Sequence, residues 1–185
     1  KDVSAGLITV SYDEKAKTIT ISDNGLGLDA EEIQKYINQI AFSGAEEFIQ
    51  KYSDKDEKQQ VIGHFGLGFY SAFMVADTVE IESLSYKEGS QPVRWSCDGS
   101  TKFEIKEGTR KDVGTDIILH VTDENKSYLS EQKLTELVKK YANFLPVEIK
   151  VKENTVNDQS PLWVKQPVDV SEDEYKEFYT KLYPM

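Results

Sequence analysis

Apolar and polar residues alternate in two short segments near the start of the chain, at residues 7–12 and 18–22. A period of two is typical of a β-strand that buries one face. The residues between the segments, 13–17, are polar and charged apart from one alanine, as expected of a turn. The pattern therefore predicts a β-hairpin whose second strand runs directly into Asp23.

A helical period replaces the alternation after residue 28. Asp29 is a suitable N-cap, and Glu32 follows three residues later, as in a capping box. An apolar stripe at helical spacing then consists of Ile33, Tyr36, Ile37, Ile40 and Ala41. We expect this helix to end before Gly44.

Residues 45–60 are mostly polar, and residues 51–58 are nearly all charged or hydroxylic. The composition favours a mobile surface segment between two glycine-containing stretches. An ordinary solvated helix and loop fits the same pattern nearly as well.

The middle of the chain predicts a short helix followed by a series of strands. The apolar run at 69–76 has helical spacing, and strand candidates follow at 78–85, 93–97, 102–106 and 116–122. Turns are predicted at Gly89, Gly99 and Gly108. A helical pattern after Asn125 places Leu134, Leu137, Val138 and Tyr141 on one face, and a last strand is predicted at 147–151.

The C-terminal part of the sequence has a different character. Residues 154–161 form a polar stretch that we interpret as a linker. Ser171 and Glu174 have the spacing of a second capping box. An aromatic stripe follows and consists of Tyr175, Phe178, Tyr179 and Leu182. We therefore expect a domain at 1–153, a linker at 154–161, and the beginning of another domain at 162–185, with an α+β fold for the first.

Composition and charge limit the possible partners. The chain has 185 residues, of which 38% are hydrophobic and 30% charged, with a formal net charge of −11. An acidic protein is a poor general binder of nucleic acid or of an anionic membrane. Cys97 is the one cysteine, which excludes an intramolecular disulfide and fits a reducing compartment. The two histidines are too few for a zinc cluster of the usual kind. The apolar run at 65–76 is too short to span a bilayer.

Two glycine motifs carry the candidate chemistry. Gly63, Gly66 and Gly68 precede the apolar run, and a glycine loop that opens a helix is typical of a phosphate site. A buried helix entered by a flexible turn explains that stretch equally well. The second motif is the stretch 23–27, in which Asp23 precedes Gly25 and Gly27. The Asp23 carboxylate could accept from an amine such as that of adenine, or could simply initiate a turn. The glycine spacing matches neither a P-loop nor the dinucleotide fingerprint.

A third candidate lies at the start of a predicted strand. Gly114 and Thr115 precede the apolar residues 117–119, and a hydroxyl at this point could bond a base or a water beside it. A β-branched residue that merely begins a strand is the more common explanation. His64, His120 and Cys97 receive no catalytic role from the pattern.

Four segments together resemble the N-terminal ATP-binding domain of the ninety-kilodalton heat-shock chaperones, particularly the bacterial members. They are residues 23–28, 40–44, 62–76 and 114–120, in that order. The glycine motifs alone are shared with gyrases, histidine kinases and mismatch-repair ATPases, whereas residues 66–73 are typical of the chaperones. Leu162, Trp163 and residues 174–179 are similar to the opening of that family's middle domain.

The resemblance implies a two-layer α+β sandwich of the GHKL ATPase type, with helices on one face of a mixed or antiparallel sheet. It implies an ATP-dependent chaperone that binds ATP or ADP with Mg²⁺, closes a lid at 43–60, and clamps client proteins as a cytoplasmic homodimer. Asp23 would bind the adenine amine, Gly27 would lie against the base, Thr115 would complete that contact, and residues 63–69 would wrap the phosphates. The implied nucleotide contacts are Asp23, Gly25, Gly27, Leu28, Ser43, Gly44, Gly63, His64, Phe65, Gly66, Leu67, Gly68, Phe69 and Thr115.

Several departures from the family pattern concern the same site. Tyr36 and Phe42 stand where the family usually has asparagine and lysine, and His64 replaces a glutamine. The family's first helix, with the glutamate that activates water and the asparagine that holds magnesium, has no counterpart in the sequence. We therefore expect no catalytic residue and no metal ligand in this chain, and little ATP hydrolysis by it. The alternatives are another GHKL ATPase or kinase domain, or an interaction domain that does not hydrolyse nucleotide.

Overall fold

The computed structural model describes residues 5–37, 68–100, 102–159 and 161–183. The strands in these ranges are β1 (Leu7–Asp13), β2 (Thr18–Asp23), β3 (Ala76–Leu84), β4 (Val93–Cys97), β5 (Phe103–Glu107), β6 (Gly114–Val121), β7 (Glu148–Val151) and β8 (Asn154–Thr155). The α-helices are α1 (Ala30–Tyr36), α2 (Glu131–Tyr141) and α3 (Glu172–Leu182). Short 3₁₀ helices lie at Gly68–Met74, Asp123–Tyr128, Leu162–Val164 and Pro167–Asp169. None of the helices described is long and apolar enough to cross a membrane.

The strands form one mixed sheet in the order β5-β4-β3-β6-β2-β1-β7-β8. The predicted hairpin is confirmed, because β1 and β2 are antiparallel with Val10 opposite Ile21. β7 is parallel to β1, whereas the other neighbouring pairs are antiparallel. β6 lies between β2 and β3, so the start of β6 is next to the end of β2.

One face of the sheet carries the core. The buried apolar residues of the strands alternate with polar ones, as a half-buried sheet requires. Helices α1 and α2 contribute Ile33 and Leu134 to the same core cluster. The helices therefore form the second layer of an α+β sandwich. The predicted fold class is confirmed. The strand residues of the core are Val10, Ile19, Ala76, Val79, Ile81, Val93, Trp95, Leu119, Val121, Ile149 and Val151.

Both predicted capping boxes are present. Asp29 Oδ1 accepts from the N–H of Glu32 at 2.9 Å, and the N–H of Asp29 donates to Glu32 Oε2 at 3.0 Å. Ser171 and Glu174 make the same reciprocal pair at the start of α3. These contacts satisfy N–H groups that a helix start leaves unpaired.

The predicted helix at 69–76 is wrong in type and at its end. The segment is a 3₁₀ helix over Gly68–Met74, and Ala76 already belongs to β3. The Ser71 hydroxyl donates to the carbonyl of Gly68 at 2.6 Å, and the N–H of Val75 reaches back only to Ala72 at 3.1 Å. The Val75 carbonyl then accepts from Thr122, which commits the chain to the sheet.

The prediction that Tyr141 lies on the apolar face of its helix is also wrong. Leu134 is buried and Val138 packs against the core, but the Tyr141 side chain is 73% exposed. Tyr141 is the last residue of α2, and at this end the contacts with the core are made by Ala142 and Leu145 instead.

The first residues of the predicted linker, 154–157, are hydrogen-bonded to the sheet. The N–H of Val156 donates to the carbonyl of Ile149 at 2.9 Å. The Asn157 side chain accepts from the N–H of Ile149 at 2.8 Å and donates to the carbonyl of Val147 at 2.8 Å. The Val156 bond extends the main-chain pairing beyond β8, and the Asn157 side chain adds two further bonds to the same part of the sheet, although the sequence in this segment has no strand pattern.

An aromatic cluster lies where α3 meets the segment after α2. The ring centroids of Phe144 and Trp163 are 4.7 Å apart, and those of Trp163 and Phe178 are 5.7 Å apart, both nearly edge to face. Tyr175 and Tyr179 of the predicted stripe remain 50% and 66% exposed. Only part of the stripe is therefore covered within the described residues.

Candidate functional site

Asp23 ends β2 at the edge of the apolar layer. Its Oδ1 accepts from the N–H of Gly25 at 2.8 Å, which closes the turn that follows the strand. The side chain is half-buried, and burial raises the pKa of Asp23, opposed by the N–H of Gly25 and by the charge of Arg110. A carboxylate that has lost part of its hydration is stabilised by a ligand that donates a hydrogen bond.

Thr115 lies directly opposite Asp23 in the antiparallel pairing of β2 with β6. Residues opposite each other in such a pair project from the same face, with Cβ atoms roughly 4.5–5.5 Å apart. The sheet thus brings two of the predicted site residues together from positions that are far apart in sequence.

The turn after Asp23 is held against two strands. The Asn24 side chain accepts from the N–H of Leu7 at 2.8 Å and donates to the carbonyl of Ala5 at 3.0 Å. The carbonyl of Leu26 accepts from the N–H of Tyr86 at 2.8 Å. These bonds fix the turn to β1 on one side and to the end of β3 on the other.

Gly27 is required by its backbone conformation and by close packing. Its φ is +65°, and a Cβ at this position would stand 1.9 Å from the carbonyl oxygen of Leu84. No side chain fits there without moving β3. The resemblance implies that Gly27 lies against the base; the described contacts give it in addition a packing role against β3.

Ser83 was missed by the sequence analysis, and it connects the predicted site residues. Its buried hydroxyl accepts from the N–H of Leu28 at 2.8 Å, lies 2.9 Å from Thr115 Oγ1, and donates to the carbonyl of Gly114 at 3.1 Å. A signal was present in the sequence, because residue 83 continues the core-facing positions 79 and 81 of β3 with a polar residue.

Arg110 was also missed, and its sequence context offers no signal for it. Its guanidinium donates to the main-chain carbonyl of Asp23 at 2.8 Å and forms an ion pair with Asp116. The guanidinium therefore fixes the loop before β6 against the end of β2. It also places a positive charge close to the Asp23 carboxylate.

Lys87 anchors the start of α1. Its ammonium lies 2.5 Å from Asp29 Oδ2 and 2.9 Å from Glu32 Oε1. The hydrogen bonds that Lys87 donates to these carboxylates raise its pKa. Burial opposes ionisation of Asp29, but the hydrogen bond from Lys87 leaves the pKa of Asp29 below its usual value.

The remaining predicted residues are placed only in part. Gly68 begins a 3₁₀ helix, and an added Cβ there would meet nothing within 4 Å. Phe69 packs edge-on against Trp95 with ring centroids 5.6 Å apart, which gives it a structural contact. Ser43, Gly44, Gly63, His64, Phe65, Gly66 and Leu67 lie outside the described residues, as do the predicted segment 45–60 and Phe42. Within the described ranges, no cluster of three or more His, Cys, Asp or Glu side chains is arranged to hold a metal ion.

The fold agrees with comparisons to known proteins. The family described as "Histidine kinase-, DNA gyrase B-, and HSP90-like ATPase" matches residues 2–125, and the family described as "Hsp90 protein" matches residues 147–184. Chaperone protein HtpG of Bacteroides thetaiotaomicron is 52% identical over 97% of this chain. The proteins of the same name from Porphyromonas gingivalis and Desulfitobacterium hafniense are 47% and 40% identical over 96% and 93% of the chain.

The chain spans about 28% of the length of these three relatives. Over that span the matches include both the sheet with its candidate site and the segment that contains α3. The chain therefore belongs to the family of histidine kinase-, DNA gyrase B- and HSP90-like ATPases, and its resemblance to the bacterial ninety-kilodalton heat-shock chaperones is confirmed.

Proposed function

We propose that this chain is the nucleotide-binding part of an ATP-dependent chaperone and that Asp23 accepts a hydrogen bond from the adenine amine. The observation that carries the proposal is the half-buried Asp23 carboxylate, whose residue lies opposite Thr115 in the pairing of β2 with β6. Burial raises the pKa of this carboxylate, so a donor at this point would stabilise its ionised form.

The donor set of the site fits an amino-substituted base. Oxygen atoms of Asp23 and Thr115 lie on one face, and Gly25 and Gly27 add no side chain to the adjoining turn. Nucleoside triphosphate, when bound, supplies a phosphoanhydride bond whose cleavage an ATPase uses. The chain's own residues would bind and orient the base end of that ligand.

The rest of the proposal follows from the family and its resemblance. Residues 63–69 would contact the phosphates, and residues 43–60 would close over the nucleotide, which binds together with Mg²⁺. In the longer protein this closure would drive a homodimer to clamp unfolded client proteins in the cytoplasm. A domain boundary in the region 154–161 would separate the nucleotide-binding part from the start of the next domain.

Calorimetric titration of the chain with ADP and magnesium tests the proposal. We expect saturable binding with one ADP per chain, and much weaker binding of GDP, which has a carbonyl where adenine has its amine. Equal affinity for the two nucleotides would contradict base recognition by Asp23. Absence of any binding would favour the alternative of an interaction domain that has lost its nucleotide.

A further inference from the structure

The Ser83 hydroxyl is completely buried and contacts three polar groups. Its exposed fraction is 0%, and its neighbours are the N–H of Leu28, the carbonyl of Gly114 and the hydroxyl of Thr115. All three distances lie between 2.8 and 3.1 Å, within the normal range for hydrogen bonds.

The chemistry of these neighbours fixes the direction of each bond. The Leu28 N–H can only donate, and the Gly114 carbonyl can only accept. Ser83 has a single proton, so all three contacts are hydrogen bonds only if Ser83 donates to Gly114 and Thr115 donates to Ser83. The Thr115 proton is then directed into the protein, and the oxygen can offer only lone pairs to a ligand.

This arrangement gives the site two acceptors on one face of the sheet. Asp23, when ionised, can only accept, and it lies opposite Thr115 in the strand pairing. A base with an amino group can supply donors to this face, directly or through a water. A base with a carbonyl at the same position would present a third acceptor.

We propose that Ser83 is a positioning residue that determines base specificity, because it holds Thr115 as a hydrogen-bond acceptor and so favours a 6-amino over a 6-oxo purine. The proposal rests on the proposed function, since it concerns the same site. Ser83 acts through Thr115 and through the main chain of Leu28 without contacting the base itself.

Ser85, the residue that directly follows β3, provides a matched control. Ser85 is also buried, with 3% of its surface exposed, and it lies two residues further along the same face. Its hydroxyl accepts a long bond of 3.4 Å from the N–H of Lys87 and, among the described residues, makes no hydrogen bond with Thr115 or Leu28. Removal of this hydroxyl tests the cost of losing a buried serine oxygen without disturbing Thr115.

The experiment compares ADP with inosine diphosphate, which carries a 6-oxo group, by calorimetry on the wild-type chain and on Ser83→Ala, Ser83→Thr and Ser85→Ala. We expect Ser83→Ala to reduce the preference for ADP about three- to tenfold, the factor that one neutral hydrogen bond contributes. In that variant the Thr115 hydroxyl can turn and donate to the oxo group. Ser83→Thr retains a hydroxyl and should keep the preference, as should Ser85→Ala.

A preference that Ser83→Ala leaves unchanged, or that Ser85→Ala reduces equally, would overturn the proposal. If Ser83→Ala does not fold, Thr115→Val provides the second test, because loss of the acceptor should reduce the same ratio. Hydrogen exchange of the Leu28 amide in the nucleotide-free chain gives an independent readout: we expect faster exchange in Ser83→Ala and no change in Ser85→Ala. Failure of the wild-type chain to bind ADP would reject the proposed function, whereas normal ADP binding with an unchanged base preference in Ser83→Ala would reject only the role of Ser83.

Discussion

Substitution of Asp23 by asparagine separates the chemistry of the site from its shape. In Asp23→Asn the amide oxygen can still accept from the N–H of Gly25, which the carboxylate does at 2.8 Å. The amide nitrogen then occupies the place of the other carboxylate oxygen. A ligand amine would meet a donor where the wild-type chain offers an acceptor.

The expected loss of affinity follows from the kind of bond removed. A hydrogen bond to a charged acceptor contributes about 1.5–3 kcal/mol, more than one between neutral groups. Because about 1.4 kcal/mol corresponds to a tenfold change in a dissociation constant, ADP should bind about 10- to 150-fold more weakly. Calorimetry with ADP and magnesium measures this directly.

Asp13→Asn is the matched control for the same change of charge. Asp13 also accepts main-chain hydrogen bonds within a turn, from Lys15 at 2.8 Å and Ala16 at 2.9 Å, but it lies at the other end of β2's hairpin. We expect its ADP affinity to equal that of the wild-type chain. A comparable loss in both variants, or no loss in Asp23→Asn, would refute the assignment of Asp23 to the base.

The thermal stability of Asp23→Asn provides a second check. The direction of the expected change in melting temperature follows from the raised pKa of Asp23 in the folded chain. A carboxyl whose pKa is raised by folding stabilises the fold below its unfolded pKa, and this contribution is lost as pH rises through the folded pKa. At neutral pH the buried carboxylate is therefore a cost to folding. We expect Asp23→Asn to melt no lower than the wild-type chain at pH 7, so that weaker binding cannot be attributed to unfolding.

Three further predictions concern stability. Lys87→Met should lower the free energy of unfolding by about 0.5–1 kcal/mol in low salt, since its ion pair with Asp29 is partly exposed, and high salt should reduce the difference in a denaturant titration. Phe178→Ala should shift Trp163 emission to longer wavelength and speed proteolysis within α3, because the ring contacts hold that helix; unchanged cleavage would contradict this. Burial opposes ionisation of Glu80, but the guanidinium of Arg94 and the imidazole of His120 keep the pKa of Glu80 below its usual value. The wild-type chain should therefore be more stable than Glu80→Gln above pH 4.5, and this difference in unfolding free energy should vanish as the pH falls through the lowered pKa.

Periodicity predicted most of the fold because the sheet has one buried face. β1 and β2 alternate cleanly, and the hairpin followed from that alternation. The bounds of β4 agree with the predicted segment 93–97, since a turn flanks it on each side. Capping boxes at Asp29 and Ser171 were readable because the interaction is local, within three residues.

Contacts between distant residues could not be predicted in this way. The parallel pairing of β7 with β1 brings together residues about 140 positions apart, and neither strand encodes its neighbour. The 3₁₀ helix at Gly68–Met74 has the apolar spacing of an α-helix, but side-chain hydrogen bonding and the entry into β3 determine its geometry. Periodicity alone does not distinguish these two outcomes.

The acidic and glycine residues of the candidate site could be predicted from the sequence, but the residues that hold them in position could not. Asp23 and Gly27 belong to a recognisable motif, and Thr115 is the second residue of β6. Ser83 and Arg110 act through tertiary contacts that require the sheet order to be known. The motif thus identified the groups that would face a ligand, while their orientation came from the fold.

The turn that follows Asp23 is closely attached to β3, and this attachment has a consequence for how the sequence can evolve. Gly27 leaves no space beside Leu84, Leu28 shares its amide proton with Ser83, and Asp29 forms an ion pair with Lys87. Consecutive positions of the turn are thus matched to positions on and just beyond one strand, 55 to 58 residues later in the sequence. A substitution on either side changes the fit of the other, so the two segments are expected to drift together and to be exchangeable between homologues only as a unit.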